Sequence, residues 1–156
     1  MNDADYMRLA IEAAKQGARK GEMPFGACIV RGDRVVTAVH NVAQGRMDIT
    51  AHAEMHAIQD ACRTLRTLQL SGCTIYASCE PCPMCFSACF WAKLDRVVYG
   101  SRIEDAERLG IWQMPITSAT MKQLSRVSFE LVGDVLREES VELFKAWRRT
   151  SSRGGR

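Results

Sequence analysis

No apolar run in the sequence approaches the roughly 20 residues that a membrane-crossing helix needs. A secretory signal is also missing: Met1-Asn2-Asp3-Ala4-Asp5 is polar and acidic, with no cationic start and no apolar segment after it. Internal repeats and low-complexity linkers are absent, which removes solenoid and array architectures. The cysteines number seven, an odd count spread along the chain, so a disulfide framework is a poor reading. Thiols kept reduced or used on a metal fit better, and the expected compartment is the cytoplasm. Charge of one sign is scarce too. The net charge is only +3, and much of the excess sits in Arg148, Arg149, Arg153 and Arg156. That tail reads as a solvated end, with a nucleic-acid contact as the minor alternative.

What remains is an ordinary folded chain. Its 156 residues suit a single domain over 1–156, long enough to bury a core without staples. Apolar periodicity predicts a helix from Asp3 to about Gln16, with Asp3 or Asp5 as its cap and Gly17 and Gly21 closing it. Phe25–Val30 and Arg34–Val39 read as a hairpin turning at Gly32-Asp33, followed by a polar loop from Asn41 to Asp48. A helix is expected from Thr50 to about Leu65, a strand over Cys73–Ser78, a helix over Cys82–Lys93 and a strand over Arg96–Gly100. Ser101–Met121 shows no regular pattern. Val127–Val132 reads as a strand and Val135–Arg149 as a closing helix. This order predicts an α/β fold, with a central mixed sheet covered by helices on both faces.

Two clusters carry chemistry: His52-Ala53-Glu54 and Glu80-Pro81-Cys82-Pro83-Met84-Cys85. Zinc prefers thiolate and imidazole donors in a tetrahedron. Cys82 and Cys85, three apart at a helix start, fall on one face. Pro81 suits a helix N-terminus, where free N–H groups and the helix dipole favour thiolates. His52, Cys82 and Cys85 would then hold Zn2+ and leave a fourth position for water, the pattern of a catalytic site. Two thiolates neutralise the ion, so less acidification of that water is expected than at a three-histidine site. Glu54, two residues from a ligand, becomes the proton carrier: it takes a proton from the water and returns protons to a ring nitrogen and a departing amine. Cys79 and His56 stand as rival ligands. A structural zinc module is the rival reading outside the enzymes, and Glu54 beside a ligand is the feature against it.

The paired clusters match the H-x-E…P-C-x-x-C signature of zinc-dependent nucleobase deaminases. Across most of its length the sequence resembles the cytidine and nucleobase deaminase superfamily. It is most similar there to small bacterial guanine deaminases, at Pro24–Ala27, Asn41, Thr50–Glu54, Cys79–Cys85, Trp91-Ala92 and Phe144–Trp147. The resemblance implies a three-layer α/β/α cytidine-deaminase-like fold with a five-stranded sheet, a homodimer and a small nucleobase substrate such as guanine. It also implies substrate contacts by Asn41, Phe25, Trp91 and Ala51, and an aromatic C-terminal end that closes the site, with Trp147 in the matching segment. One departure weighs against guanine. Relatives of this type carry a second acid in a Gly-Phe-Asp-Asp context, whereas here Gly110 is followed by Ile111-Trp112-Gln113. Other aminated rings, such as cytosine, adenine or a triazine, therefore stay open. A tRNA adenosine deaminase stays open as well, although the Gly-Ala-Arg-Asp stretch of those enzymes is replaced by Gly100-Ser101-Arg102-Ile103.

Overall fold

The structure is a computed structural model that describes residues 1–154, with side chains through Ser152. Of the basic tail, Arg156 and the side chain of Arg153 lie outside the described residues. Helix α1 (Asp3–Arg19) precedes the hairpin β1 (Gly26–Arg31) and β2 (Arg34–His40). A short α2 (Ala43–Arg46) and the longer α3 (Ala53–Leu65) lead to β3 (Cys73–Cys79) and α4 (Pro83–Trp91). Then come β4 (Arg96–Ser101), α5 (Ile103–Arg108), α6 (Ser118–Ser125), β5 (Glu130–Val132) and α7 (Arg137–Gly154). The strands form one sheet in the order β2-β1-β3-β4-β5, antiparallel at β2-β1-β3 and parallel at β3-β4-β5.

Strand periodicity divides the core between two faces. Ala27, Ile29, Ile75 and Val97 point to a cluster with Ala53, Ala57 and Ala61 of α3 and Phe86 and Cys89 of α4. Their neighbours Cys28, Val30, Tyr76 and Val98 point the other way, against Tyr6, Met7, Ala10 and Ile11 of α1. The expected three layers and five-stranded mixed sheet are therefore present. Ala53, Ala57 and Ala61 recur every four residues and are fully buried, so α3 lies close on the sheet along a stripe of methyl groups.

Several expected boundaries shift for local reasons. The cap of α1 is Asn2, whose side chain accepts from Asp5 N while Asp5 accepts from Asn2 N. Asp3 is engaged elsewhere: Arg96 grips it with two hydrogen bonds of 2.7 and 2.8 Å, and Tyr76 donates to it at 2.7 Å. Those partners hold the Asp3 carboxyl below its usual range, Arg96 first, and tie α1 to β3 and β4. Gly17 does not end α1, which runs on to Arg19; the turn comes at Gly21 with φ +88°. The segment Ser101–Met121, expected to be irregular, contains α5 and the first half of α6. Both helices are too short and too exposed to show a full apolar period. Only Glu130–Val132 of the expected last strand pairs with β4.

Gly26 begins β1 where α1 crosses it. A Cβ there would collide with the Ala10 carbonyl oxygen and stand 2.6 Å from Ala14 N. Gly26→Ala should therefore cost about 1–3 kcal/mol of stability, the usual range for overpacking. Denaturant unfolding measures this, and an unchanged midpoint would show that α1 does not pack so closely on the strand.

Candidate active site

The helices that carry the two motifs both begin at the carboxyl-terminal end of β3. His52 is the N-cap residue of α3 and Cys82 the N-cap residue of α4, both with extended backbone. Pro83 occupies the first turn of α4, so the helix-starting proline is Pro83 and not Pro81, which precedes the cap. Two positive helix ends thus face one point, which favours anionic ligands there.

His52 Nδ1 lies 3.6 Å from both Cys82 Sγ and Cys85 Sγ. All three donor atoms fall within 4.8 Å of one another. Nitrogen at about 2.0 Å and sulfur at about 2.3 Å from one tetrahedral ion stand about 3.5–3.8 Å apart, so the set fits zinc. The thiols are unequal. Cys85 S–H donates to Cys82, which holds the Cys82 thiol down at about 4, and the His52 ring adds to this. The same contact and burial push Cys85 up. His52 is raised, first by its bond to Cys82.

The rival ligands stand outside the three-donor cluster, although Cys79 lines the same cleft. His56 Nδ1 lies 2.9 Å from the His40 carbonyl oxygen, and its Nε2 lies 3.4 Å from Arg46. Cys79 ends β3 buried, in contact with Arg102 O at 3.9 Å, and burial pushes its thiol up.

Glu54, in the first turn of α3, is buried and faces a narrow cleft shared with His52 and Cys82. Desolvation is the main reason its carboxyl rises to about 7. Phe25 lines the same cleft and is backed edge-on by Phe144 of α7, with ring centroids 5.6 Å apart. The cleft volume is about 10 Å³, room for about one water. Larger depressions lie beside Phe90 and Trp91 and between α1 and α7, but neither touches the cluster.

The other expected contact residues divide. Asn41 is buried, and its Oδ1 accepts from Ala43 N at 3.0 Å, which closes the turn into α2. Ala51 is buried next to the ligand, and its carbonyl accepts from Val42 N at 3.1 Å. Trp91 is not brought to the cleft by its own chain. It is 76% exposed at the far end of α4, set edge-on against Phe90, because nine residues of chain carry it away from Cys82. Phe144, not Trp147, is the α7 residue that meets Phe25; Trp147 packs half-buried at the edge of that cluster.

Three side chains gain roles that the sequence reading did not assign. Glu22 caps α2, accepting from Gln44 N at 3.0 Å and Gly45 N at 2.7 Å. Glu80 is buried beside the cleft and accepts from Ile103 N and Ser118 N. Gln113 lines the cleft. The available signal for Glu80 was its charge in an apolar run; nothing local marks Glu22 or Gln113.

This geometry predicts distinct outcomes for neighbouring residues. Cys82→Ala should lose stoichiometric zinc, whereas His56→Ala should keep it. Metal analysis of the purified variants decides, and full zinc in the first or zinc loss in the second would refute the ligand set.

Known proteins resemble this chain in sequence and fold. The family profile described as the cytidine and deoxycytidylate deaminase zinc-binding region matches residues 1–101. The guanine deaminase of Bacillus subtilis is 35% identical over 149 residues, which covers 95% of each chain. The tRNA-specific adenosine deaminase of the same organism is 40% identical over 99 residues, covering 64% of this chain and 62% of that enzyme, under two thirds of its length. The solved guanine deaminase from Nitrosomonas europaea superposes with a TM-score of 0.86 at 25% identity, covering 94% of this chain and 84% of the other. With its zinc-binding motifs assembled on this fold, the chain belongs to the cytidine and deoxycytidylate deaminase family.

Proposed function

We propose that the protein hydrolytically deaminates a free nucleobase, with guanine as the leading substrate. The observation that carries this is the cleft itself. It sets His52, Cys82 and the buried Glu54 around a space that holds one water, with Cys85 completing the three-donor cluster. A structural zinc site would be closed by a fourth protein ligand. Guanine is favoured because the sequence likeness to a guanine deaminase covers 95% of the chain, whereas that to the tRNA enzyme covers 64% of it.

His52, Cys82 and Cys85 would hold zinc, which would supply Lewis acidity to the attacking water. Glu54 does the proton work. It lies against the cluster, and burial raises its carboxyl above the usual carboxylate range, which suits a group that accepts and returns protons. It removes a proton from the attacking water and passes it to the ring nitrogen, then takes the second proton from the hydroxyl now on the ring carbon and delivers it to the departing amine. Guanine and water become xanthine and ammonia. Phe25 offers an aromatic face to the ring, held by Phe144 behind it. The reading extends to a homodimer, supported by the Phe90–Trp91 pair exposed at the end of α4.

Glu54→Gln should keep zinc and fold while turnover falls on the order of 10²–10⁴-fold. A near-native rate would refute the role of Glu54. Ammonia release from guanine, adenine, cytosine, their nucleosides and a tRNA tests the substrate. Guanine should lead; activity confined to tRNA would overturn the free-base reading, and activity on cytosine but not guanine would overturn the purine choice.

A further inference from the structure

The cleft has a polar wall group that the reaction above leaves unused. Glu80 is already committed: Oε2 accepts from Ile103 N at 3.1 Å and Oε1 from Ser118 N at 2.8 Å. Ile103 begins α5 and Ser118 begins α6, so one buried carboxylate caps both helices. Ser118 Oγ also donates to Pro81 O at 3.1 Å, next to the ligand Cys82. The stretch 109–117 between the two helices has no regular structure, and its flanks are pinned to the zinc motif.

Gln113 sits in the middle of that stretch. It is half-buried and lines the cleft, and among the described residues its side-chain amide has no hydrogen-bond partner. An amide offers two N–H donors and one carbonyl acceptor, and it does not titrate. The volume supplies the second part of the case. About 10 Å³ admits one water and no ring, so the wall must give when a base enters. Most other lining side chains stand at or beside the ends of α3, β3 and α4 and at the start of β1. Gln113 stands on the least constrained wall, so an entering ring displaces it and then faces its amide.

We propose that Gln113 is a specificity-determining residue for the reaction inferred above, and that Glu80 is its positioning residue. The Gln113 amide reads a ring edge with a carbonyl beside a ring N–H, donating to the first and accepting from the second. Guanine presents such a lactam edge, as does free cytosine at N1–H and its C2 carbonyl; adenine, which has no carbonyl, does not. A site that hydrogen-bonds such a pair rejects rings that leave the amide unpaired. Glu80 acts at a distance, by fixing both ends of the segment that carries Gln113.

Competing bases given together to wild type, Gln113→Ala and Glu80→Gln test this. In Gln113→Ala, kcat/KM for guanine should fall roughly 10–100-fold, mostly through KM, while adenine changes less than about threefold. Glu80→Gln keeps only one acceptor for two N–H donors and should show the same loss of preference with zinc retained. A purely structural role would lower all bases alike. Calorimetric binding of guanine in a Glu54→Gln background gives a readout without turnover, and adding Gln113→Ala should weaken it by a similar factor. A guanine preference unchanged within about threefold in Gln113→Ala overturns the proposal and leaves the deaminase reading standing. If wild type deaminates no base and Glu54→Gln binds none, the base-deaminase reading fails, and the role of Gln113 with it.

Discussion

Everything in this site depends on two helix N-termini aimed at one point beyond the carboxyl end of β3. His52 and Cys82 are cap residues, so their side chains leave their helices at the positive end. Cys85 follows on the first turn of α4 and closes the triangle. The approach is possible because the face of α3 toward the sheet is a stripe of alanines, and because Phe86 and Cys89 seat α4 in the same cluster. Parallel strands β3 and β4 then leave an open edge above their carboxyl ends, the usual place for a site in such a sheet.

Three buried glutamates show how hydrogen bonding separates roles. Glu22 and Glu80 each accept two backbone N–H groups and act as caps. Glu54 is buried beside the thiols, and desolvation lifts its carboxyl into the neutral range. Chemically identical groups become two fixed struts and, in the proposed reaction, one proton carrier, according to what their oxygens face.

The metal set was legible in the sequence because its spacing is local. The two cysteines stand three positions apart on a helix turn, and Glu54 stands two positions after His52. The sheet and its two covering layers were legible through period-2 and period-3.6 patterns. Less legible were features set by distant partners. Asp3 reads as a cap until Arg96 is seen to hold it from across the fold. Trp91 reads as a pocket residue by resemblance, yet the length of α4 carries it to the surface. Helices α5 and α6 hide in a stretch whose order depends on Glu80, more than twenty residues upstream.

The account's central claim is that His52, Cys82 and Cys85 form a three-ligand zinc site with one position open. Zinc-edge X-ray absorption on the purified protein measures this directly. The claim predicts two sulfurs at about 2.3 Å and two light atoms at about 2.0–2.1 Å, one an imidazole nitrogen and one a solvent oxygen. A shell of three or four sulfurs, or one without sulfur, would contradict it.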